Sequence, residues 1–402
     1  MQFDFTSILD RRGMDALAVD APGKLPGFPG GPQGDFDVIP MWVADMNFPV
    51  PPSVTEAIVN RANHPAFGYF LPREEYLSGI IRWQKERNGV NGITADNIGY
   101  ANSVLGGLTS ALNILCSKGD AVLLHSPTYI GFTGALTNNG YRIVHSPLVL
   151  DENGVWRMDL ADMEQKIVEN NIHCTVFCSP HNPCGRVWEK WELEQAMALF
   201  EKHGVYVISD EIWSDLTLAE HRHIPTQSVN SYAREHTVAL YAPSKTFNLA
   251  GLVGSYHIIY NKWLKDRMTK EESLSHYNQM NVLSMWGCIG AYSETGAAWL
   301  EELRQVLTEN VDYACDYIAK HFPGVAVSKP QGTYMLFLDC AGWCAANGTD
   351  MDSLLRRCWD VGVIAQDGRA FHGPCHLRMN LALPKSRVEE AFSRLRRCVF
   401  GG

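Results

Sequence analysis

The 402-residue chain lacks the features that would carry it to a membrane or a polyanion. No window approaches about 18 uninterrupted apolar residues, and "MQFDFTSILDRRGMD" has acids and a basic pair where a secretory signal needs an apolar stretch. A cytoplasmic protein without a membrane partner is expected. Lys/Arg-rich runs are also missing, and 34 basic against 44 acidic residues leave a formal net charge of -10, which repels phosphate backbones. No nucleic-acid partner is expected. The eleven cysteines lack the spacing of a disulfide framework or a zinc ribbon, since Cys174/Cys178 and Cys340/Cys344 each enclose three residues. Buried thiols are expected, and no metal site. The absence of G-x-G-x-x-G, Walker A and H-E-x-x-H patterns removes the main support for dinucleotide, P-loop and zincin chemistry.

What is present reads as a large α/β protein. The Gly/Pro-rich "APGKLPGFPGGPQGDFDVIPMWVADMNFPVPP" predicts an extended, wrapping N-terminal segment. Beyond it, "VLGGLTSALNILC" carries the apolar stripe of an amphipathic helix. Short apolar runs follow at "AVLLH", "YRIVHSP", "HCTVFCSP", "VYVISDE" and "TVALYAPS", with helical stretches such as "DLADMEQKIVEN" and "WEKWELEQAMALFEKHG" between several of them. Apolar strands that alternate with helices predict a parallel sheet covered on both faces. From about residue 286 the pattern changes to a long helix, "AAWLEELRQVLTENVDYACDYIAKHF", followed by mixed strands and helices. The expected division is a large domain over 45–285 and a small α+β domain built from 1–44 and 286–402.

Ligands of parallel sheets sit beyond the carboxyl ends of the strands. In chain order the polar residues there are Ser103, Tyr129, Asn182 in "SPHNPCGR", Asp210 in "VISDE", and Ser244 with Lys245 in "APSK". Singly they are weak signals: a strand-terminal Asp is often a helix cap, Asn-Pro is a turn, and a lysine is usually solvated. The ordered set Asn182, Asp210, Lys245, Arg378 is far more specific.

That set resembles the pyridoxal phosphate enzymes of aspartate aminotransferase fold (fold type I). The phrases "FDFTSILDRRGMDALAVD", "PMWVADMNFPVPP", "SPHNPCGRVW", "SDEIWSDL", "APSKTFNLAGL" and "LRMNLALP" resemble its MalY/PatB-like branch of cystathionine β-lyases and cysteine-S-conjugate β-lyases. The resemblance implies a large domain with a mostly parallel central sheet flanked by helices, a smaller α+β domain, and pyridoxal 5'-phosphate as cofactor. Lys245 matches the lysine that bonds the cofactor aldehyde. Such a lysine must spend time as a neutral amine, so its pKa has to fall by about two to three units, roughly 3 to 4 kcal/mol.

By the same resemblance Asp210 pairs with the ring nitrogen, and Asn182 meets the ring oxygen and helps hold the substrate carboxylate that Arg378 grips. Tyr129 stacks on the ring. Val104 and Leu105 offer backbone N–H groups to the phosphate at a helix N-terminus, where Ser244 adds a hydroxyl. Tyr69 reaches the phosphate of a neighbouring subunit, implying a homodimer with its active site at the interface. Trp213 departs from the family, which more often has tyrosine or histidine there; packing against the sheet edge is its structural reading. His181 reads as a solvated turn histidine in preference to a proton carrier. The leading expectation is α,β-elimination of cystathionine or another S-substituted L-cysteine to thiol, pyruvate and ammonia. The alternatives are an aminotransferase of an L-amino acid and a non-catalytic regulatory protein of the same fold.

Overall fold

Four central strands are buried at nearly every position, which leaves them no solvent face and commits them to the middle of a layered fold. The structure, a computed structural model, describes residues 2–274 and 279–401. Its main sheet has seven strands in the spatial order Ile98–Asn102, Gly254–Ile258, Thr237–Tyr241, Tyr206–Asp210, Cys174–Cys178, Ala121–Ser126 and Arg142–Pro147. Each of the five expected strands is there, all mutually parallel. Gly254–Ile258 is the departure, running antiparallel to both neighbours. Its opening glycine and buried His257 give it little of the apolar character that marks the others.

Alternation along these strands divides the core into two layers. Val122, Leu124, Val176, Ile208 and Leu240 pack with Val104, Leu108 and Leu112 of the helix Ser103–Leu115. Leu123, Phe177 and Val207 face the other way, onto Ile167 of the helix Leu160–Asn170 and Leu193, Met197 and Phe200 of the helix Lys190–His203.

The C-terminal third opens with the helix Glu294–His321 and forms an antiparallel sheet ordered Ala326–Val327, Met335–Asp339, His376–Asn380, Gln366–Asp367. The N-terminal segment is extended as expected, with one short helix, Leu17–Asp20, and joins this part where Ile39–Pro40 pairs parallel with Val363–Ile364. Seven cysteines are buried, Cys116, Cys315 and Cys375 are half-buried, Cys398 is exposed, and all are free thiols. Among the described residues no helix is long and apolar enough to cross a membrane.

Candidate active site

Polar residues that end parallel strands converge because the strand ends themselves do. Ser103, Val104, Leu105, Tyr129, Asn182, Asp210, Ser244 and Lys245 line one cavity of about 160 Å³ at the carboxyl edge of the main sheet. Arg378, from the strand His376–Asn380 of the second sheet, reaches it, its Nη1 donating to Asn182 Oδ1 at 3.4 Å. Tyr69 is not brought there: it is fully exposed and outside the cavity.

Lys245 lies in the short helix Pro243–Thr246, directly after the strand Thr237–Tyr241. Burial, then the positive charge of Arg378, lowers its pKa to about 8, against the weaker opposing pull of Asp45 and Asp210. The fall has the direction and size a covalent carrier lysine requires. The helix turn is clamped from behind, where Asp215 accepts from Thr246 Oγ1 and Trp83 Nε1, each at 3.0 Å.

Asp210 ends its strand with only 4% of its surface exposed, and Oδ1 accepts from the Ile212 N–H at 3.1 Å. Burial pushes its pKa up to about 7, against the weaker opposing pull of the Ile212 N–H and of the Lys245 charge. A carboxylate in that state gains from a positively charged partner inside the cavity. Glu211, next in sequence, faces away into a satisfied network with His223, Tyr241, Ser209 and the Thr226 N–H.

Arg378 is equally short of a counter-charge. Its Nη2 donates to Trp42 O at 3.0 Å and to Gln366, its Nε is buried without a partner, and its guanidinium lies 4.3 Å from the Phe371 ring centroid. Among the described residues no carboxylate pairs with it, and burial lowers its pKa to about 10. Buried arginines are ordinarily paired. This one is prepared for an anion that the chain does not itself supply.

The helix Ser103–Leu115 points its N-terminus into the same space, with Ser103 at φ +62° and its N–H committed to Val253 O at 2.7 Å. Unpaired N–H groups of a first turn suit an anion. Tyr129 is half-buried between them; a Cβ on Gly131 would come within 2.3 Å of its ring, so glycine is what lets the ring lie there.

Several contributors have no signature in the sequence. The segment 42–46 runs past both cations: Ala44 O accepts from Lys245 Nζ at 2.8 Å, and Trp42 O holds Arg378. Asn380 Nδ2 fixes it through Val43 O and Asp45 O at 2.7 and 2.6 Å, Asn248 bonds Met46 twice at 3.0 Å, and Arg11 pairs with Asp45 at 2.6 Å. Main-chain acceptors carry no residue signature, although the phrase "PMWVADMNFPVPP" contains them.

Trp213 lines the cavity and is 2% exposed, edge-on to Tyr334 at 4.8 Å between centroids, so it both packs and faces the site. His181 corrects its expectation. It is buried, not solvated, its Nδ1 has no partner, and its ring stands 5.8 Å from Trp188 and 6.5 Å from His125. Burial lowers its pKa to about 3, so the ring is the neutral imidazole near neutrality. The turn folds back on itself through the His181–Arg186 bridge, which sets Trp188 beside the ring, and His125 approaches from the strand Ala121–Ser126.

Residues 37–395 match the family of class I and II aminotransferases, and the chain belongs to that family. Within it the chain is 30% identical over 389 residues to cystathionine beta-lyase PatB of Bacillus subtilis, covering 96% of this chain and 97% of that protein. Among solved structures, a PLP-bound putative aminotransferase from Clostridium difficile 630 superposes with TM-score 0.90 at 31% identity, covering 98% of this chain and 99% of that one. A PLP-bound C-S lyase from Staphylococcus hominis follows at TM-score 0.87 and 28% identity, covering 98% of each chain. The aminotransferase-type fold and the resemblance to the PatB-like branch both stand.

Proposed function

We propose that this chain is a pyridoxal phosphate-dependent carbon-sulfur β-lyase acting on cystathionine or another S-substituted L-cysteine. The observation that carries the reading is a cavity with three complementary deficits: a lysine near neutrality, a buried carboxylate short of a cation, and a buried arginine short of an anion. Those deficits fit the cofactor and an amino-acid substrate together. Asp210 would meet a protonated ring nitrogen, the first turn at Val104 and Leu105 with Ser244 would hold the phosphate, and Tyr129 would cover the ring. Arg378, with Asn182, would take the substrate carboxylate in two parallel hydrogen bonds, which fixes orientation as well as charge.

When bound, pyridoxal phosphate supplies a conjugated ring that withdraws electron density from the substrate Cα. Lys245, as a neutral amine, takes the Cα proton. Asp210 keeps a positive charge on the ring nitrogen favourable; at about 4 Å and an effective dielectric near 20 such a pair contributes roughly 4 kcal/mol. Departure of the β-thiolate and hydrolysis of what remains give thiol, pyruvate and ammonia. Trp213 offers one N–H donor and no acceptor, so it shields the cavity and leaves proton transfer to Lys245.

The likeness to the putative aminotransferase from Clostridium difficile favours a second reading, in which the same residues serve transamination. Purified protein with cystathionine and no added keto acid separates the two. The lyase releases pyruvate and thiol continuously, whereas turnover that begins only after a keto acid is supplied assigns the aminotransferase. The same reading takes 45–285 as the cofactor-binding domain and 1–44 with 286–402 as the small domain, consistent with the two sheets. It also makes the enzyme a cytoplasmic homodimer in which Tyr69 serves the partner's phosphate site.

A further inference from the structure

The helix Ser103–Leu115 ends at the amino edge of the main sheet, about 20 Å from the cleft at 1.5 Å per residue. Cys116 caps it, its N–H donating to Leu112 O at 2.8 Å. Two neighbouring parallel strands begin beside it, Ala121–Ser126 just after Asp120 and Cys174–Cys178 just after His173. This brings three different donors together: Cys116 Sγ, an Asp120 carboxylate oxygen and a His173 ring nitrogen lie within 4.8 Å of one another, all on half-buried residues. His173 Nε2 is 3.3 Å from Asp120 Oδ2, and that oxygen is held in place by the Ser117 N–H at 2.7 Å.

We propose that Cys116, Asp120 and His173 bind one divalent ion of the zinc class at this edge, as a structural staple separate from the catalytic cleft. Around tetrahedral zinc, with bonds of about 2.0 to 2.3 Å, donor atoms stand roughly 3.3 to 3.8 Å apart, so closing the site asks for about 1 Å of side-chain adjustment. Three protein donors leave the fourth position for water. A sulfur, nitrogen and oxygen set suits zinc and disfavours magnesium and calcium, which take oxygen. The helix C-terminus adds the negative end of its dipole, which favours a cation. Binding forms the sulfur–metal bond as the Cys116 thiol releases its proton to solvent. The staple would tie the end of the cofactor-side helix to the starts of two core strands. Ligands at 116, 120 and 173 fit no short Cys/His spacing, which is why the sequence gives no sign of it.

The test uses tag-free holoprotein stripped with EDTA, then titrated with Co²⁺ and separately with Zn²⁺. About one equivalent per chain is expected, with the visible bands of four-coordinate cobalt and a thiolate-to-cobalt charge-transfer band in the difference spectrum. Cys116→Ser should remove the charge-transfer band, and both Cys116→Ser and His173→Ala should lose at least about 100-fold in affinity. Zn²⁺ should raise Tm in the parent chain and in neither variant. The half-exposed His173 site keeps the test usable if the cysteine variant folds poorly. Retention of neither metal by the parent chain, or equal retention by the parent and both variants, overturns the proposal.

Discussion

Lys245 meets two opposing demands, since its amine must be neutral to attack an aldehyde, whereas an ordinary lysine is charged near pH 7. Burial and Arg378 settle the balance by bringing its pKa to about 8. The sign follows directly: the protonated amine cannot attack, so reconstitution of the apoprotein with pyridoxal phosphate should accelerate about tenfold per pH unit below 8 and level off above it. Stopped-flow absorbance at pH 6 to 10 measures this, and a flat profile would count against the assignment. Asp210 makes a second prediction at the same scale. Asp210→Asn keeps the shape and removes the charge, and a loss of roughly 4 kcal/mol should appear as about a thousandfold fall in kcat with the cofactor still bound. Steady-state kinetics with cystathionine would read it; a loss below about tenfold would show that the ring nitrogen needs no anion here.

Two elements bring these residues into register, and neither is a regular strand or a long helix. The turn Pro243–Thr246 is braced by Asp215, whose carboxylate is the acceptor for both Thr246 and Trp83. Asp215→Ala leaves two buried donors unsatisfied, so it should cost about 2 to 5 kcal/mol in denaturant unfolding and lower cofactor affinity with it. The segment 42–46 is the other brace. Its legibility differs from that of the strands for a physical reason. The strand ends could be found because five apolar runs each stop at a polar residue, and Asn182, Asp210 and Lys245 stand at or just past those stops. Ala44 and Trp42 act through carbonyl oxygens that any residue possesses, and Gln366 reaches Arg378 only because two short strands pair. The burial of His181 is not legible because it depends on His125, brought in by the strand Ala121–Ser126, and on the fold-back of its own turn that sets Trp188 beside it. The antiparallel strand Gly254–Ile258 escaped for want of an unbroken apolar run.

For the whole molecule, the exposed stretch around Tyr69 is the informative feature. Phe67, Tyr69 and Leu71 all stand in solvent in a single chain, an unusual concentration of uncovered apolar surface. Dimerisation would cover it, and analytical ultracentrifugation should give twice the 44.9 kDa of one chain. Tyr69→Phe should then weaken cofactor binding about tenfold without dissociating the dimer, as expected for one lost hydrogen bond to a phosphate. Unchanged binding would leave the tyrosine a structural residue of the interface. All of these outcomes presuppose that one lysine carries the cofactor. Borohydride reduction of the holoprotein followed by peptide mapping tests that most directly: the pyridoxyl mass should appear on the peptide containing Lys245, and its appearance on another lysine, or on none, would contradict the account.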